Sequence, residues 1–187
     1  MEPLLFSAVA AFLAAWGDRT QALVAMLAGT TKRPGAVLAG LIPAIILSNA
    51  LAAAAGHWLA GSITLRALSL LTALALLFAG LFGLIPRKAP APSAPRLLLV
   101  SVFLLCLAAE TGDRIQFLTF AFAGRFPAGA PLAAAGASVG LLAACVPAAL
   151  LGDALRRSVP LRAVRYGVAA LFLVAGFIIG VKALQLA

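Results

Sequence analysis

The stretch AAETGDRIQF, from Ala108 to Phe117, decides how this chain folds. It sets Glu110, Asp113 and Arg114 in the middle of an apolar run. A second stretch, AAWGDRTQAL, from Ala14 to Leu23, carries Gly17, Asp18, Arg19 and Gln21, each 95 residues ahead of its counterpart. Gly29 and Gly124 keep that offset, and FAGLFG from Phe78 resembles VAGFIIG from Val174. The echo is incomplete. Ala15 stands where the later copy has Glu110.

The surroundings of both stretches are those of a membrane protein. Hydrophobic residues make up 64% of the 187-residue chain and charged residues only 10%, with a mean hydropathy of +1.14. Soluble domains carry about 25% charged residues. The net charge of +9 does not point to nucleic acid, because the basic residues fall in short gaps between apolar runs with no aromatics interleaved. Their placement is that of membrane topology.

A spanning helix needs about 20 mostly apolar residues. Six segments qualify: 4–28, 35–59, 65–85, 97–123, 131–151 and 164–184. The runs are longer and more continuous than the alternating ten-residue strands of a barrel. The expected fold is therefore an all-α integral membrane protein. It has six transmembrane helices in two three-helix repeats, 1–86 and 97–187, joined by a Pro/Ala-rich linker at 87–96. Three spans per half is an odd number, so the second repeat enters the membrane inverted. Transporters built this way place their site at the repeat interface near the midplane. Pro43 and Pro147 are expected to kink their helices.

Nine basic residues flank the odd-numbered joints: Lys32, Arg33, Arg87, Lys88, Arg96, Arg156, Arg157, Arg162 and Arg165. The opposite side holds Arg66, Arg125 and Lys182. The basic side is expected to be cytoplasmic, with both termini non-cytoplasmic, in a bacterial inner membrane. The N-terminus lacks a basic leader region and carries Glu2, so the first segment is expected to be retained as a span.

Of the five acids, Asp18, Glu110 and Asp113 sit in the two matched stretches. A charge at the bilayer centre costs about 2.5–3.5 kcal/mol even on gentle insertion scales, so such residues face a bundle interior or an ion pathway. On a continuous helix Glu110 and Asp113 share a face, with Gln116 at its edge, and Asp18 and Gln21 repeat that spacing. Where the two stripes meet, carboxylate and amide oxygens would cluster, the ligand set of calcium and manganese. Arg19 and Arg114 are expected to balance the charge. A structural intramembrane ion pair is the alternative use of the same residues. Glu110 is the candidate for proton coupling, poised between burial and a nearby arginine.

Other polar residues fit plainer roles. His57, next to Trp58, suits an interfacial anchor. Ser48 and Asn49 suit hydrogen bonding between packed helices, with a place in the pathway as the alternative. Cys106 and Cys145 suit small buried hydrophobes. Asp153, with Arg156 and Arg157, suits a solvated helix end. No Ser/His/Asp set, His-rich metal motif or phosphate loop is present, which argues against an enzyme.

The segment from Glu110 to Ile115 resembles the E-x-G-D-[KR]-[TS] signature of a cation/proton antiporter family. That family includes Golgi calcium/manganese–proton exchangers and bacterial manganese exporters. The second copy matches at Glu110, Gly112, Asp113 and Arg114, with Ile115 in place of Ser/Thr. The first matches at Gly17, Asp18, Arg19 and Thr20, with Ala15 in place of Glu. The resemblance implies export of a divalent cation, manganese first and calcium second, in exchange for protons. Asp18, Glu110 and Asp113 would hold the ion, assisted by Thr20, Gln21 and Gln116. No cofactor is implied beyond the transported cation and protons, and the partners are the lipid bilayer and the ion. The site carries formal charge −1 instead of the family's −2. An exporter of another small solute and a non-transporting membrane scaffold are the competing functions.

Overall fold

A computed structural model describes residues 1–85, 98–152, 154–155 and 160–184. The linker at 87–96, with its basic residues, lies outside them, as do Asp153, Arg156 and Arg157. The described residues form helices and no strands: α1 (Glu2–Ala15), α2 (Arg19–Thr31), α3 (Pro34–Ala60), α4 (Leu65–Leu84), α5 (Leu98–Glu110), α6 (Arg114–Arg125), α7 (Ala130–Leu151) and α8 (Leu161–Leu184), with a short 3₁₀ turn at Pro127–Gly129.

Four helical stretches are long and apolar enough to cross a membrane: Pro34–Ala60, Leu65–Leu84, Pro127–Leu151 and Leu161–Leu184. Their starts are locally encoded. Pro34 opens α3, where a missing N–H costs nothing. The Thr64 hydroxyl caps α4 by accepting from Ala67 N. α3 continues through Pro43 and α7 through Pro147.

The expected spans 4–28 and 97–123 are not continuous helices. Each is two half-helices of 12 to 14 residues, α1 and α2 in one case, α5 and α6 in the other. At about 1.5 Å per residue each half reaches roughly 20 Å, short of the ~30 Å hydrocarbon core. The cause is local. Gly17 and Gly112 adopt φ of 71° and 72°, the left-handed region where a side chain is strained. Asp18 and Asp113 follow in nearly identical extended conformations and serve as N-caps of α2 and α6. Gly-Asp is thus a stop and a restart in two residues.

The halves pack by corresponding contacts. α1 lies on α7, α3 on α5 and α6, and α4 on α8. Gly40 packs against Leu99 O and Val102, and Gly136 against Leu4 O and Ser7, two contacts whose equivalent residues differ by 95–96 positions. Gly80 meets Ala169 O and Leu173, while Gly176 meets Ala73 O and Leu77. In all four places a Cβ would overlap the neighbouring helix, so glycine sets the interhelix distance. The core between them is built from small and branched residues such as Ala44, Ile45, Leu141 and Ala144, all fully buried.

Candidate functional site at the two helix breaks

The two breaks meet at the centre of the bundle. Each glycine leaves a backbone N–H without its helical acceptor, and the glutamine four residues on supplies one. Gly17 N donates to Gln21 Oε1 at 2.9 Å, and Gly112 N to Gln116 Oε1 at 2.7 Å. The glutamine amino groups then reach to neighbouring helices: Gln21 Nε2 donates to Ala144 O, and Gln116 Nε2 to Ser48 Oγ. Both glutamine oxygens thus accept from a backbone N–H at their own break.

The arginines cross between halves. Arg19 Nη2 donates to Ala109 O at 2.6 Å, and Arg114 Nη2 donates to Ala14 O at 2.5 Å. Each guanidinium thus sits at the C-terminal end of the other half's half-helix, where the helix dipole favours a cation. Arg114 also pairs with Asp18 Oδ1 at 3.2 Å, both nearly fully buried. Asp113 accepts from Ile115 N, as an N-cap does.

Glu110 ends α5 and is 1% exposed. Thr20 Oγ1 donates to its Oε1 at 2.5 Å. Its other oxygen, Oε2, is buried and accepts no hydrogen bond among the described residues. Buried polar atoms are satisfied in the great majority of cases, so this oxygen is an exception. The break between Glu110 and Asp113 removes the shared helical face that their spacing suggested. Among the described residues no three Asp, Glu, His or Cys side chains converge as a ready metal cage.

Each break opens into a cavity. One of about 160 Å³ is lined by Gly17, Asp18, Gln21, Ala25 and, at its rim, Arg162 and Arg165. The other, of about 630 Å³, is lined by Gly112, Asp113, Gln116, Phe117 and Phe120. Gly17, Asp18, Gln21, Ala22 and Ala25 of the first lining correspond to Gly112, Asp113, Gln116, Phe117 and Phe120 of the second at an offset of 95. A larger apolar groove between α3 and α7, about 880 Å³, reaches none of the acids.

Ser48 and Asn49 form hydrogen bonds between helices. Ser48 receives Gln116, while Asn49 donates to Ser138 Oγ and accepts from Thr119 Oγ1. Thr119 and Ser138 were not singled out in the sequence. The available signal was buried hydroxyls spaced along otherwise apolar spans. His57 is exposed near the end of α3, its Nδ1 3.0 Å from Pro127 O. Cys106 and Cys145 are free and buried.

Comparison with known proteins gives the same two-part layout. The family model described as "Divalent cation/proton antiporter GDT1" matches twice, over residues 3–91 and 98–186. A curated relative from Vibrio cholerae serotype O1, named "Putative manganese exporter", is 29% identical over 175 residues, which cover 92% of this chain and 88% of the relative. No solved structure matches the chain at a comparable level of significance. With both halves matched and its long helices apolar throughout, the chain is an integral membrane protein and belongs to the divalent cation/proton antiporter family.

Proposed function

We propose that the chain exports a divalent cation, manganese first and calcium second, in exchange for protons across a bacterial inner membrane. One observation carries this most directly: Glu110 is a buried carboxylate, held on one oxygen by Thr20 and open on the other. Such an oxygen takes a proton or a cation but not both, and that exclusion is the elementary step of exchange. Asp18 and Asp113 supply the remaining negative charge at the two breaks. Arg114 neutralises Asp18 in the arrangement described. On cation arrival the guanidinium gives up the carboxylate to the ion and keeps its bond to Ala14 O.

The membrane arrangement belongs to the same proposal. α1 with α2, and α5 with α6, each make one broken crossing, giving six crossings in two inverted halves. The paired glycine contacts and the double family match support it. The two cavities then approach Asp18 and Asp113 from opposite sides, the arrangement that alternating access requires. The joints bearing Lys32, Arg33, Arg162 and Arg165 face the cytoplasm and both termini face away.

The test uses inverted membrane vesicles and a manganese-sensitive bacterial host. The native protein should protect the host and release protons from loaded vesicles when manganese is added. Glu110→Gln should abolish proton release, and Asp113→Asn should abolish protection. Unchanged coupling in Glu110→Gln would refute the assignment of the exchange step. No protection by the native protein would refute manganese as the cargo.

A further inference from the structure

The pseudo-symmetry of the breaks assigns partners to two residues that otherwise look like unrelated departures from the signature. Contacts around the site map onto each other at offsets of 95–96. Arg19 on Ala109 O maps to Arg114 on Ala14 O. Gln21 on Gly17 N maps to Gln116 on Gly112 N. Gln21 on Ala144 O maps to Gln116 on Ser48. The hydrogen bond from Thr20 to Glu110 lies among these contacts. Its image is Ile115 with Ala15. Both are fully buried, in the same core cluster, where α6 packs on α1.

From this we infer that Ala15 and Ile115 form one unit, an apolar replacement for a hydroxyl–carboxylate pair, and that together they set how much positive charge the site accepts. The inference rests on the transport function proposed above. Chemistry explains why the two residues go together. A glutamate at position 15 facing Ile115 is a buried carboxylate without the donor that Thr20 gives Glu110, and a threonine at 115 facing Ala15 is a hydroxyl without its acceptor. Replacing both by apolar groups removes both costs. The result is a lopsided site. A divalent cation meets a hydroxyl-held carboxylate on one wall and aliphatic carbon on the other. Ile115 is thus a specificity-determining residue through its partner, although its side chain carries no charge.

The test is a double-substitution cycle in the full-length protein with two readouts. The variants are Ala15→Glu, Ile115→Thr and the pair together. The first readout is thermal unfolding in detergent. Contacting residues show non-additive effects, so Ile115→Thr should recover roughly 3 °C or more of the Tm lost in Ala15→Glu. The second is manganese binding by the purified protein, where the double variant should bind about tenfold tighter than native, the effect of one more carboxylate near a divalent ion. Ala15→Glu performing as well alone as with Ile115→Thr, in both readouts, would overturn the pairing. So would a double variant no more stable than Ala15→Glu. The converse pair, Glu110→Ala with Thr20→Ile, guards against a failure to fold at position 15: it should be more stable than Glu110→Ala alone, and the opposite order refutes the pairing. If the native protein moves no cation, the transport function fails while the stability cycle still decides the pairing.

Discussion

Replacing Thr20 with valine keeps the outline of the side chain and removes the hydroxyl that holds Glu110. The bond is 2.5 Å long and both residues are nearly fully buried. Hydrogen bonds to charged groups contribute about 1.5–3 kcal/mol. For a chain of this length each kcal/mol shifts the Tm by about 2–4 °C, so Thr20→Val should lower it by about 3–12 °C. Thr20→Ser, which retains the hydroxyl, should lose less than half of that. The assay is thermal unfolding in detergent followed by circular dichroism. The loss should shrink in a Glu110→Gln background, because the removed bond then ends on a neutral amide. Removing one partner of a coupled pair makes the second removal cheaper. A Tm for Thr20→Val within about 1 °C of native would refute the reasoning. Equal losses in the native and Glu110→Gln backgrounds would show that Thr20 acts by packing alone.

Two further outcomes follow. Gly56→Ala should lower the Tm and expression, because a Cβ there overlaps Phe120 O and lies 3.0 Å from Gly124 N, whereas Gly29→Ala meets nothing within 4 Å and should be neutral or stabilising by up to about 1 kcal/mol; equal Tm values for the two variants would refute glycine-set packing between α3 and α6. A reporter fused between residues 86 and 96 should give a cytoplasmic signal, and a periplasmic signal would reverse the proposed orientation.

The sequence made the repeat and the three central acids legible, because a charge inside a 20-residue apolar run has few explanations. It also showed that Ala15 and Ile115 depart from the pattern. It did not show that they are partners, since that depends on which residue of one half faces which of the other. The helix breaks were half legible. Gly-Asp reads as a helix end followed by an N-cap, yet the unbroken hydropathy of the flanks hides it. The crossing of Arg19 and Arg114 to the opposite half was not legible at all. Charge balance was expected of Arg114, but its partners Ala14 O and Asp18 in the other half are set by the tertiary fold. Ser48 and Asn49 were read correctly as hydrogen-bonding residues, but their ties to Gln116, Thr119 and Ser138 join three helices far apart in the chain.

The crossed arginines also carry a consequence for biosynthesis. Ala14 O waits for Arg114, made 100 residues later. At about 5–20 residues per second, translation takes roughly 5–20 s to deliver it. Throughout that interval Asp18 awaits its contact with Arg114. The second half, by contrast, finds Arg19 already in place for Ala109 O. The nascent first half is therefore the vulnerable one. The contacts that complete it come only with the second half.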